Sequence, residues 1–210
     1  MKTKSKKIGR RNFIKGLGSV AVGSLIIPKV LRGNEELKIA KRHIILPPGA
    51  INKDNLNRYC TACHLCVTRC PEKILKPARL EYGLKGIQQP IIEYKVGFCR
   101  FDCIECGRVC PTGAIRGFDT LKEKRHTQIG IAKYNKEFCQ INELGITCRK
   151  CLEMCPVNAV RMVEGDAADT LIPSVDVSKC IGCGACEYYC PTSFDRKAIW
   201  VDGLEKHKKI

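Results

Sequence analysis

The sequence predicts a small, loop-rich α+β fold built from two similar modules. Three observations predict it. Sixteen cysteines in 210 residues fall into four groups of four, each ending in Cys-Pro. Three groups are preceded by a short β-like run: Ile91-Ile92-Glu93-Tyr94, Ile131-Ala132-Lys133-Tyr134 and Val175-Asp176-Val177. Only 6% of residues are aromatic, thin for a large apolar core, so groups bound by the cysteines must help hold the chain together. Disulfides, zinc sites and iron–sulfur clusters are the candidates.

The first group is Cys60, Cys63, Cys66, Cys70; the second is Cys99, Cys103, Cys106, Cys110. The third is Cys139, Cys148, Cys151, Cys155; the fourth is Cys180, Cys183, Cys186, Cys190. Groups one and four follow C-x2-C-x2-C-x3-C-P, the run that holds 4Fe–4S clusters in bacterial ferredoxins. Group two widens its first gap by one residue, and group three sets its first cysteine nine residues ahead of its second. Three cysteines on one loop bind three irons of a cubane, and the fourth, expected to start a helix pointing away, serves another cluster. Small residues between ligands, Thr61-Ala62 and Gly182, Gly184-Ala185, let backbone amides approach the sulfurs. Zinc sites usually combine two C-x2-C knuckles that give two ligands each, and disulfide frameworks do not repeat four Cys-Pro-terminated cassettes. No group lacks a cysteine, as a three-iron cluster would suggest. The expected cofactors are therefore four 4Fe–4S clusters.

The cassettes are embedded in a wider repeat. After Cys-Pro come Thr112-Gly113-Ala114-Ile115, Val157-Asn158-Ala159-Val160 and, after a short insertion, Lys197-Ala198-Ile199-Trp200. Strand, cluster loop, short helix and strand make one ferredoxin-type unit. The first cassette lacks a leading strand, and Asp54 to Tyr59 reads as helix instead. His64 inside the first cassette reads as a surface or sulfur-contacting residue, and His43, His126 and His207 show no ligand pattern. Trp200 and Tyr188-Tyr189 read as core packing. No nucleotide loop, catalytic triad or flavin motif is present, so the chain reads as an electron carrier without a catalytic site of its own.

The N-terminus reads as an export signal. Lys2, Lys4, Lys6 and Lys7 lead to Arg10-Arg11-Asn12-Phe13-Ile14-Lys15, then to an apolar run from Gly16 to Ile27 closed by Pro28. This segment resembles a twin-arginine signal, with Arg10 and Arg11 as its pair. That route carries folded proteins, which suits a chain that receives clusters in the cytoplasm. The apolar run is shorter than the roughly 20 residues that span a bilayer comfortably. Cleavage and retention as an anchor at the outer face of the inner membrane both remain open, and the expected location is the periplasm.

The formal charge of +16 suggests nucleic acid, yet residues 1–32 carry nine Lys/Arg and no acidic residue, leaving +7 for the rest. Each oxidised cluster with four thiolates adds roughly −2, so four bring the mature protein to about −1. No nucleic-acid partner is expected.

The chain resembles the ferredoxin-type subunits of the NapG/MauM group. The resemblance rests on the twin-arginine leader, the Leu46-Pro47-Pro48-Gly49-Ala50 segment, the order of the cassettes, and the long first gap of group three with Asn142, Leu144-Gly145 and Cys148. Group two departs from the family pattern in its gaps. The resemblance implies electron transfer from a membrane polyferredoxin or quinol dehydrogenase to a periplasmic oxidoreductase such as nitrate reductase, after export by the twin-arginine translocase. The alternative is a four-cluster electron-transfer subunit of a molybdopterin oxidoreductase complex, although the late break usual in its third group is missing here.

Two pairings of the groups are open, adjacent and nested. Nesting is favoured because groups one and four are the regular ones, and resemblance to four-cluster subunits implies the same. Cluster 1 then takes Cys60, Cys63, Cys66 and Cys190; cluster 2, Cys180, Cys183, Cys186 and Cys70. Cluster 3 takes Cys99, Cys103, Cys106 and Cys155; cluster 4, Cys139, Cys148, Cys151 and Cys110. The expected organisation is a signal at 1–32, a linker at 33–42, a ferredoxin domain at 43–204 and a solvated basic tail at 205–210. Within the domain, the outer module is 43–85 plus 170–204 and the inner is 86–169.

Overall fold

A computed structural model describes residues 42–81, 83–165 and 170–210. The signal at 1–32 and the linker up to residue 41 lie outside the described residues. Four very short helices repeat the four cysteine groups: Leu65–Arg69, Glu105–Arg108, Lys150–Glu153 and Ala185–Tyr188. Each carries the third cysteine of its group, and the chain leaves it just before the fourth. The sequence reading placed a helix after the fourth cysteine. The proline that follows instead closes the turn, because it offers no amide and fixes its own φ. Helices of four or five residues cannot persist alone, so packing of the cysteine loops must hold them.

The strands form three antiparallel pairs. β1 (Leu75–Pro77) pairs with β2 (Pro90–Ile92) between groups one and two. β4 (Val160–Glu164) pairs with β5 (Leu171–Val175) between groups three and four. β3 (Thr127–Tyr134) leads into group three and pairs with β6 (Ile199–Lys209), which follows group four. β2, β3 and β5 fall on or beside the β-like runs read from the sequence. These hairpins fold each half of the chain on itself, bringing groups one and two together and groups three and four together. The outer and inner modules expected from the sequence are thus not the units that the strands build.

Before group one the chain is helical over Lys53–Tyr59, where the sequence reading placed a helix from Asp54 to Tyr59. The Asn52 side chain caps it by accepting from Asn55 N at 2.8 Å. Its buried side chain is Leu56, at 0% exposure, whose burial stabilises the packing by about 2 kcal/mol. Leu56 joins Ile45, Ile74, Ile91 and Ile115 from the first half and Ile129, Ala132 and Ile199 from the second in one aliphatic core that also contains cysteines. Among the described residues no helix is long and apolar enough to cross a membrane.

The expected solvated tail is a strand. β6 pairs with β3 up to Gly203 opposite Gly130, then resumes at Lys208 opposite Gln128. The four residues between leave β3 and turn to the first half. Lys206 bridges Asn52, and His207 N donates to Ile51 O at 2.8 Å. The lysines keep charged heads in water while their backbone joins the sheet, so charge alone misread this segment. Tyr188 and Tyr189, read as core, are 36% and 41% exposed and cluster with Phe98, at 6.2 and 5.6 Å between ring centroids.

Candidate functional site

All sixteen cysteines gather, but as adjacent pairs of groups. Cys70 joins Cys99, Cys103 and Cys106 around one hollow, of about 390 Å³ including its solvent mouth. Cys190 joins Cys139, Cys148 and Cys151 around another, of about 360 Å³. Burial first, and then the proximity of Cys110, raises the pKa of Cys60, while Cys66 is pushed up to about 11 by burial and by Cys60 and Cys110. Cys155 stands likewise beside Cys180, Cys183 and Cys186. The nested sets expected from the sequence are not the ones brought together: Cys190 is with group three rather than group one, and Cys70 with group two rather than group four. The reason is the intervening hairpins, β1–β2 and β4–β5, which fold neighbouring groups back to back.

The donor chemistry of the sets fits cubane clusters. Among the described residues no three His, Cys, Asp or Glu side chains converge closely enough to hold a single metal ion. A tetrahedral zinc site would need sulfurs about 2.3 Å from one point. Two of the sets instead bound hollows, as thiols binding separate corners of a cube must. Burial pushes the thiols of Cys151 and Cys183 up to about 12, so they ionise readily only against bound metal.

Backbone amides point at the sulfurs, as small neighbours allow. Ala62 N donates to Cys60 Sγ at 3.4 Å, and Ala132 N to Cys180 Sγ at 3.4 Å. The segments after Cys-Pro turn back on the fourth cysteine: Ile115 N donates to Cys110 Sγ at 3.3 Å and Ala159 N to Cys155 Sγ at 3.2 Å. This explains their repetition in the sequence. For Cys110 burial is outweighed by the Ile115 amide, the Thr112 hydroxyl and the Thr112 and Ala114 amides, which hold the thiol below its ordinary pKa. The loops of groups one and four take left-handed backbone at equivalent positions, Ala62 and His64 against Gly182 and Gly184. His64 is tolerated there and turns its ring away, with Nε2 at 3.0 Å from Gln88 O. It is not among the cysteine sets, in line with the sequence reading.

The sets form a line. Cys66 of the first (Cys60, Cys63, Cys66, Cys110) stands close enough to influence Cys106 of the second (Cys70, Cys99, Cys103, Cys106). Cys99 N donates to Cys183 O at 2.8 Å, joining the second set to the third (Cys155, Cys180, Cys183, Cys186). Cys151 of the fourth set influences Cys186 of the third. Cys63 at the first end is exposed, whereas the thiols of group four are all buried. Sequence reasoning missed Lys124 and Lys197, buried beside the second and fourth sets. A lysine in a polar segment carries no signal of burial.

Known proteins resemble the chain over most of its length. A family model described as a 4Fe-4S dicluster domain matches residues 146–194, a stretch holding the last three cysteines of group three and all of group four. The methylamine utilization ferredoxin-type protein MauM of Methylophilus methylotrophus is 33% identical over 156 residues, 71% of this chain and 67% of that protein. MauM of Methylorubrum extorquens is 30% identical over 188 residues, 85% of this chain and 81% of that protein. The ferredoxin-type protein NapG of Escherichia coli is 29% identical over 191 residues, 87% of this chain and 81% of that protein. With its cysteine cassettes, its thiol sets and these relatives, the chain belongs to the NapG/MauM family of ferredoxin-type, 4Fe–4S electron-transfer proteins.

Proposed function

We propose that each thiol set holds one 4Fe–4S cluster and that the protein relays electrons along the four, from a membrane quinol-oxidising partner to a periplasmic redox enzyme such as nitrate reductase. The observation that carries this reading is the linear order of the sets. A shuttle for one electron needs one cluster, whereas a line of four suits a bridge between two docked partners. In this reading the cysteines give up their protons to bind as thiolates, the chain orients and shields the clusters, and it catalyses nothing itself. The twin-arginine motif at Arg10-Arg11 supports a periplasmic location, with the apolar run as an anchor if it is retained.

Anaerobically purified protein should contain about 16 iron and about 16 acid-labile sulfide per chain. Cys190→Ser should perturb the same paramagnetic signal as Cys148→Ser; a match with Cys60→Ser would restore the nested pairing. In a strain lacking the protein, quinol-dependent reduction of the terminal acceptor should fall, while activity with an artificial donor given directly to the terminal enzyme persists. Loss of both, at normal levels of that enzyme, would turn the role into one of maturation.

A further inference from the structure

The helix Leu121–Arg125 joins the two halves, and the side chain it buries is a lysine, Lys124, at 3% exposure. Lysine is almost never fully buried without a partner. Its ammonium donates to Arg100 O, in the residue next to Cys99, and its charge acts on the Cys99 thiol. Burial raises the Cys99 pKa, and the Lys124 charge opposes that rise. Among the described residues no carboxylate lies within ion-pair distance of Lys124. Asp102 feels the Lys124 charge from farther off, but it is paired with Arg100 at 3.0 Å and its side chain is 52% exposed. Lys197 provides the contrast. It is also buried and donates to Cys190 O at 2.6 Å, but the carboxylate that feels its charge, Glu187, is itself buried at 2% exposure.

Lys124 meets the loop where group two departs from the regular spacing. The extra residue makes Arg100-Phe101-Asp102 a three-residue link between Cys99 and Cys103. The connecting helix clasps this link with two adjacent side chains: Lys124 on the Arg100 carbonyl, and Arg125 over the Phe101 ring at 4.3 Å. A polar helix capped by Thr120 is thus held down over the second set by cations.

We propose that Lys124 is the buried counter-charge of the second thiol set (Cys70, Cys99, Cys103, Cys106) and makes the cluster held there easier to reduce than its thiol ligands alone would. The proposal rests on the four-cluster reading. A cluster with four thiolates is anionic and gains a further negative charge on reduction, so a fixed cation at one ligand favours the reduced state.

The test is a redox titration of the anaerobic holoprotein, followed by its paramagnetic and visible signals, with iron and sulfide counted in every sample. In Lys124→Gln, one reduction step should become at least about tenfold less favourable, about 59 mV more negative for one electron. It should be the step that Cys103→Ser alters. The shift should persist up to about 1 M salt, because a buried charge is little screened. Lys124→Arg, which keeps the charge, should stay within about threefold of the parent. Unchanged potentials in a fully loaded Lys124→Gln protein would overturn the proposal, as would a Lys124→Arg shift equal to that of Lys124→Gln. If Lys124→Gln loses about four iron, Lys124→Arg with full iron and the parent potential upholds the counter-charge; loss in both overturns it. A parent protein with far fewer than about 16 iron would defeat the four-cluster reading on its own.

Discussion

Replacing Tyr94 by phenylalanine should loosen the join between the two halves without disturbing any ligand. Tyr94 precedes group two, is 3% exposed, and donates its hydroxyl to Gly182 O at 2.6 Å in the loop of group four. Its ring lies against Gly184, where a methyl group would run into it, and Gly184 itself needs φ of +80°. Burial holds the phenol pKa well above its ordinary value, so the hydroxyl remains a donor at any working pH. Tyr94→Phe keeps the ring and leaves a buried carbonyl without that donor, a cost of about 1–3 kcal/mol. Tyr94→Ala also removes the ring and should cost about 3–5 kcal/mol. A multi-cluster protein unfolds irreversibly, so the quantity to measure is the rate of cluster bleaching in denaturant under anaerobic conditions. About 2 kcal/mol lost before the barrier speeds bleaching about 30-fold. Tyr94→Phe should bleach several-fold to a hundredfold faster than the parent, and Tyr94→Ala faster still, both starting from full iron. Bleaching of Tyr94→Phe within twofold of the parent would refute the reasoning.

Two further outcomes follow from the sequence and fold. Burial lowers the His207 pKa to about 4, and neither ring nitrogen has a hydrogen-bond partner. Its neutral form is favoured on folding, so this contribution is complete above the unfolded value near 6.5 and is lost as pH falls through about 4, by at most about 3 kcal/mol; His207→Leu should bleach less steeply than the parent across that window, and equal slopes would count against it. Replacing both Arg10 and Arg11 by lysine should leave folded, cluster-loaded protein in the cytoplasm, measured by fractionation, and undiminished periplasmic protein would refute the export reading.

The sequence by itself determined the cofactor chemistry and the local units that bear it. A cassette places three ligands within a few residues, and the helix that carries its third cysteine sits in the same short stretch. Such spacing is local, so it can be read from residues such as Cys180, Cys183 and Cys186 alone. The helix before group one and the strands leading into later groups were legible for the same reason. Only the tertiary structure decided which fourth cysteine meets which three. Regular spacing in groups one and four says nothing about their distance in space; the β1–β2 and β4–β5 hairpins set that distance and bring Cys70 to group two and Cys190 to group three. The same holds for the C-terminal lysines, whose backbone finds strand partners near Asn52 and Thr127, and for Lys124, whose burial depends on a helix folding over a loop 24 residues away. Side-chain type and spacing encode what a segment can bind, but the partner of a backbone edge or a buried charge is fixed by long-range packing.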